Sequence, residues 1–167
     1  MPKDKMTDQS ALQETSPSEA MTHINLEYAR KVLQIYNGMS RPIARELEMP
    51  GTAFDILMFL YNNPQYHTAH EIVRVRGIKP SLVSVNVDHL VENGYLLRDN
   101  NPADRREYLL TLTPKAHEAA AKGHIMQKRF FDLLLQGIDG ETLQTVQRFF
   151  RAVEVNMERL EERKQTL

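Results

Sequence analysis

Only Ile78 and Lys79 separate Gly77 from Pro80, and this spacing constrains the fold more than any other stretch of the chain. Glycine readily takes the left-handed conformation that closes a helix, and proline suits the first turn of the next one. Upstream, Thr68-Ala-His-Glu71 has the pattern of a capping box, in which the Thr68 hydroxyl accepts from the Glu71 amide and the Glu71 side chain reaches back. A short helix therefore runs from Thr68 to Gly77, and a second follows over about 79–93 before Gly94 ends it.

Residues 94–113, GYLLRDNNPADRREYLLTLT, come next. Two apolar runs, Tyr95-Leu96-Leu97 and Tyr108-Leu109-Leu110, flank Asn-Asn-Pro turn chemistry, which reads as a β-hairpin. Its loop of about seven residues is longer than stability alone requires, and it carries Arg105 and Arg106, with Arg98 at its foot. Helix, tight turn, helix and basic hairpin is the order of a winged helix-turn-helix. The expected fold is mainly α with a small β-hairpin wing.

At 100° per residue, Val83, Val87, Leu90 and Val91 form one stripe of the helix over 79–93, the buried one. Ser81, Val85, Asp88 and Glu92 lie opposite, with Leu82 and His89 beside them, and Ser84 and Asn86 flank the stripe. Leu82 and Val85 are thus apolar residues expected to face solvent. Isolated exposed apolar side chains are common and need no special explanation. They also suit contact with thymine methyl groups in a major groove, while Ser81 and Ser84 bond base edges or phosphates. The helix-turn-helix before them and the basic hairpin after them favour the groove.

Composition restricts the remaining choices. Lys plus Arg number 21 against 22 Asp plus Glu, so no global positive field marks a nucleic-acid partner and any such surface must be local. Between Thr68 and Arg106 there are six basic and five acidic residues, an excess of only +1. Cysteine is absent, which excludes disulfides, thiolate metal sites and thiol sensing within these residues. With no run of 18 apolar residues and no signal-like N-terminus, a cytoplasmic protein without a membrane span is expected.

The flanking segments suggest self-association. Residues 1–15 form a polar tail expected to be mobile, and Ser16-Pro17-Ser18-Glu19 reads as a helix start. Residues 16–48 form an N-terminal helical region expected to kink or break near Gly38 and Pro42, with a shorter piece over 43–47. Residues 49–113 hold the winged helix, whose first helix is expected to start at Thr52-Ala-Phe-Asp55. In residues 114–167, Ala116, Ala119, Ala120 and Gly123 make a smooth face that another helix can approach closely. Beginning near Asp139, Leu143, Val146, Phe150, Val153, Met157 and Leu160 then keep a heptad seam. Packing within one chain would use part of this surface, yet apolar stripes on the first and last helices exceed what a small winged helix covers, so a homodimer through both termini is expected.

Asn101-Pro-Ala-Asp104-Arg105-Arg106 running into Leu110-Thr-Leu112-Thr113 resembles the wing signature of the MarR family of winged-helix regulators. Leu90-Val-Glu-Asn-Gly94-Tyr-Leu-Leu-Arg98 similarly resembles the family's recognition-helix end and first wing strand. The resemblance, covering about residues 24–160, implies a repressor that binds a pseudo-palindromic double-stranded DNA operator as a homodimer. It implies a minor-groove or phosphate contact for Arg106, a basic wing foot at Arg98, and an acidic partner at Asp104 that orients the wing arginines. The DNA-contacting set expected on all these grounds is Thr68, Lys79, Ser81, Leu82, Ser84, Val85, His89, Arg98, Arg105 and Arg106, with helix N-terminal amides at Thr68 and Lys79 holding phosphates. A solvated surface ion-pair cluster is the plainer account of Asp104 and its arginines. The chain departs from the family in having Val85 and His89 where many relatives are basic, and Ala116 where glycine is frequent.

The family resemblance further implies a small aromatic or lipophilic anionic effector in a cleft near the dimerisation helices. Tyr28, Tyr36, Met58, Tyr61 and His67 are the candidate lining, with Met39 beside them and Arg30 or Arg41 facing a carboxylate, although the same residues also suit plain core and surface. His117 and His124 share a helix face, but seven residues span about 10.5 Å along a helix, too far for both to hold one metal ion. No phosphate loop or nucleophile–base pair is present, so neither a cofactor nor catalysis is expected. The rival reading is a winged-helix protein-interaction module that docks a partner on Leu82 and Val85.

Overall fold

The computed structural model describes residues 26–102, 104 and 106–165. Six helices and one hairpin follow in the order α1 (Leu26–Glu46), α2 (Gly51–Asn62), α3 (Ala69–Arg76), α4 (Pro80–Glu92), β1 (Leu96–Asn100), β2 (Tyr108–Leu112), α5 (Pro114–Leu134) and α6 (Gly140–Gln165). The residues divide into two units, one ending at Met126 and the other beginning at Gln127. The expected tail over 1–15 and the helix start at Ser16 lie outside the described residues.

The first unit is built around α4, which packs against α2, α3 and β1. Ile56 and Leu57 of α2, Ile72 of α3, Val83, Val87 and Leu90 of α4, and Leu96 of β1 are the largest fully buried side chains. Burial of each such side chain is worth about 1.5–3 kcal/mol. Asn86 is a polar residue enclosed with them, and its Nδ2 donates to the Leu82 carbonyl at 2.7 Å.

Local signals end these helices as the residues dictate. Gly77 takes φ 63° at the end of α3 and donates to the Val73 carbonyl. Gly94 takes φ 71°, and beyond it the Tyr95 amide returns to the Leu90 carbonyl at 2.8 Å, a glycine-centred helix stop that turns the chain into β1. Thr113 fastens the other end of the hairpin. Its Oγ1 accepts from the Ala116 amide at 3.1 Å, capping α5, and donates to the Gly94 carbonyl at 2.8 Å. The small-residue face of α5 lies inward: Ala116, Ala119 and Ala120 are buried, and Gly123 sits where a Cβ would strike Met58 and Phe54 of α2.

Two expectations are corrected here. Of the kink or break expected near Pro42, the break does not occur, because α1 continues through it to Glu46 as one helix. Proline withholds the hydrogen bond that residue 42 would give the Gly38 carbonyl. Both positions are exposed, so water can satisfy the carbonyl and the helix survives. The first helix of the winged domain starts at Gly51 rather than Thr52, with Pro50 in the N-cap position and no side-chain cap, since the fixed proline φ already presets the entry.

In the second unit Asp139 caps α6, accepting from the Thr142 amide at 2.8 Å and the Thr142 hydroxyl at 3.0 Å. The bond from the Thr142 amide, followed by that from its hydroxyl, holds the Asp139 carboxyl below the usual carboxylate range. Along α6, Val146, Phe149, Phe150, Met157 and Leu160 are exposed, while Leu143 and Val153 are half-buried.

Candidate nucleic-acid interface

The outward face of α4 presents four side chains at its N-terminal end. Ser81 and Ser84 are exposed, and between and beside them stand Leu82 at 44% exposure and Val85 at 65%. Val83, Val87 and Leu90 are buried on the opposite side, as the helical period requires, with Val91 half-buried. Lys79 precedes the helix as its N-cap residue, exposed and without a side-chain cap bond. His89 is half-buried and lies 3.4 Å from Asn93 Nδ2, withdrawn from the Ser81–Val85 patch.

The wing is a two-stranded antiparallel hairpin in which Leu96 pairs with Leu112, Arg98 with Leu110, and Asn100 with Tyr108. Leu96 and Leu110 bury its root. The Leu110 amide also donates to the His67 carbonyl at 2.7 Å, tying β2 to the residues that lead into α3. Seven residues, 101–107, form the loop. There the Asp104 carboxylate accepts from the Arg106 backbone amide at 2.9 Å, and the Glu107 amide donates to the Asp104 carbonyl at 3.1 Å. Asp104 therefore shapes the loop by holding backbone. An aspartate two residues before an amide closes a local turn readily, and here the amide it holds is that of the wing residue Arg106. Arg106 is exposed and forms no ion pair among the described residues. Arg105 lies outside the described residues.

Residues 47–107 match the MarR family model, from just before α2 to the wing tip. Over that segment the chain is similar to the MarR family, and its fold is a winged helix-turn-helix. A relative from Thauera aromatica, assigned to transcriptional regulation of the hcr operon, is 35% identical over 69 residues. That stretch is 41% of this chain and 41% of the relative, so the match spans less than half of either. Among solved structures, a MarR-family transcriptional regulator from Listeria monocytogenes complexed with a 26mer DNA superposes with a TM-score of 0.70 at 17% identity, covering 80% of this chain and 88% of that one. A MarR transcriptional regulator from Methanosarcina mazei gives 0.63 at 20% identity, covering 81% and 94%.

Thr68 and Arg98, both expected to contact DNA, are bonded to neighbouring side chains. Thr68 is only 6% exposed. Its hydroxyl accepts from the Glu71 amide at 3.2 Å and donates to Glu71 Oε2 at 3.0 Å, and the same oxygen takes the His67 and Thr68 amides at 2.8 and 2.9 Å. The capping box has thus used the hydroxyl and set a carboxylate at the α3 N-terminus, which disfavours a phosphate there. Arg98 is turned toward α4, where it pairs with Asp88 at 2.5 Å, and its guanidinium lies 5.4 Å from the Tyr108 ring centroid.

Burial pushes the Glu71 carboxyl up, but hydrogen bonds from His67 and Thr68 outweigh it and hold the group below its ordinary 4.5. A carboxyl lowered on folding adds stability that is complete above its unfolded pKa and disappears as pH falls through the folded value. The stability lost in Glu71→Gln should therefore be constant above about pH 5 and shrink below 4.5, as read by urea unfolding at several pH values.

A cavity of about 420 Å³ opens between α3, α4 and the wing, lined by Val73, Pro80, Val83, Val87 and Leu110 with His70, Ser84, Asp88, Arg98 and Tyr108 at polar positions. None of the five expected effector-pocket residues lines it. Met58 is buried beneath Gly123, Tyr61 lies against the His117 and His124 rings at 5.7 and 6.3 Å, and His67 is exposed. Tyr28 is 72% exposed. The sequence reading passed over Asp88 and Tyr108 as functional partners. Tyr108 had a signal, since the diagonal cross-strand neighbour of Arg98 shares its face and is within reach of a long side chain. Asp88 had none, because only the packing of the hairpin on α4 brings it to Arg98.

Proposed function

We propose that the chain is a sequence-specific DNA-binding transcriptional regulator that acts as a homodimer, with α4 in the major groove and the wing loop over the adjacent minor groove. The observation that carries this reading is the exposed quartet Ser81, Leu82, Ser84 and Val85 beside an exposed Arg106. No Lys or Arg occurs from Pro80 to Glu92, so base reading rests on hydroxyl groups and on apolar contact with thymine methyls. Few phosphate contacts also mean modest non-specific affinity. The family match and the regulatory assignment of the Thauera aromatica relative support the same reading. Among the described residues no helix is long and apolar enough to cross a membrane.

The apolar stripe of α6 supports the dimer. Val146, Phe149, Phe150, Met157 and Leu160 are exposed on one helix, a surface that single chains rarely leave uncovered. A two-fold dimer reads a pseudo-palindrome with half-sites about 10 base pairs apart. Repression, relieved by a small aromatic or lipophilic anion, is the regulatory mode that suits this architecture. The exposed Leu82 and Val85 with a local charge excess of only +1 equally suit a protein-docking surface. Binding of the purified chain to DNA from upstream of its own gene, titrated at several salt concentrations, separates the two. Saturable binding of one dimer that weakens with salt supports the DNA reading, and a folded dimer that binds nothing at low salt overturns it.

A further inference from the structure

The pair formed by Arg98 and Asp88 joins two elements that meet DNA in the proposed function, and the surroundings show what the pair does. The hairpin is held at its root by Leu96, Leu110 and the Leu110 amide bond to His67. Farther out, packing gives way to the 420 Å³ cavity, and Asp88, Arg98 and Tyr108 all stand on its lining. Across that gap, the guanidinium bonded to the Asp88 carboxylate and laid on the Tyr108 ring connects the outer wing to α4. Asp88 is also a carboxylate near the surface that would approach DNA, where an uncompensated negative charge repels phosphate. Pairing it with Arg98 removes that repulsion.

We infer that Arg98 is a positioning residue for DNA reading: it sets the wing against the recognition helix and neutralises Asp88, without contacting phosphate itself. The inference rests on the DNA-binding reading above. A phosphate-contacting arginine and a positioning arginine differ in salt dependence, because each lost phosphate contact lowers the slope of log K against log salt by about 0.9. An exposed ion pair that acts by positioning should change affinity only about two- to fivefold.

The test compares wild type, Arg98→Met, Asp88→Asn and the double variant by DNA titration across salt and by amide hydrogen exchange over residues 97–109. The expected result is a two- to fivefold loss of affinity in Arg98→Met with faster exchange in the wing, and a wild-type salt slope in the double variant, whose local charge equals that of wild type. Asp88→Asn should reproduce the faster exchange, and the double variant should exchange no faster than either single one. A slope flattened by about 0.9 with unaltered exchange would overturn the inference. If wild type binds no DNA, the exchange measurements still decide whether the pair holds the wing, and the failure of the DNA reading is seen separately.

Discussion

Arg106→Ala is expected to weaken operator binding by roughly tenfold or more while leaving the thermal unfolding of the chain unchanged, since a well-placed groove contact is worth about 1–3 kcal/mol. The loop geometry underlies the asymmetry. Asp104 holds the Arg106 backbone amide, so the loop keeps its shape when the side chain is removed. The guanidinium itself is exposed and forms no ion pair among the described residues. A narrow minor groove concentrates negative potential, and an arginine already held at the loop tip meets it with little further ordering. The salt slope should also fall by about 0.9 if the contact reaches phosphate. Full affinity in Arg106→Ala, measured by fluorescence anisotropy on the same operator, would remove the wing from the binding surface.

Phe150→Glu is expected to turn the proposed dimer into monomers, raising the dimer dissociation constant by about two to four powers of ten. Burying a phenylalanine is worth about 1.5–3 kcal/mol, and a two-fold interface counts each substitution twice. Phe150 is exposed on α6, with the Phe149 ring against it at 5.6 Å, so the two present a broad apolar surface. Sedimentation equilibrium gives the mass directly. An unchanged dimer would place the interface elsewhere, and loss of helical signal would mean that Phe150 stabilises the single chain instead.

Local rules carried much of the fold. The Thr68–Glu71 capping box, the left-handed Gly77 and the buried stripe of α4 each follow from neighbours within one or two turns, so residue order alone was sufficient. Whether Pro42 would kink or break α1 was left open, because the lost hydrogen bond alone does not say whether water can replace it. The capping role read for Thr68 holds, and the Glu71 carboxylate that closes the box takes the amides at the α3 N-terminus where a phosphate was expected. The patch over Ser81, Leu82, Ser84 and Val85 was legible from helical period. The partnership of Arg98 with Asp88 was not, because it depends on how the hairpin lies against α4.

The bond from the Leu110 amide to the His67 carbonyl uses only main-chain atoms. It is therefore indifferent to which side chains the wing carries. Loop residues 101–107 can be exchanged for those of another reader of DNA while the hairpin keeps its anchorage, provided Leu96 and Leu110 stay apolar. That separation of anchorage from loop chemistry makes this wing a cassette: the contacts of the loop can be rewritten, with the attachment left to the backbone.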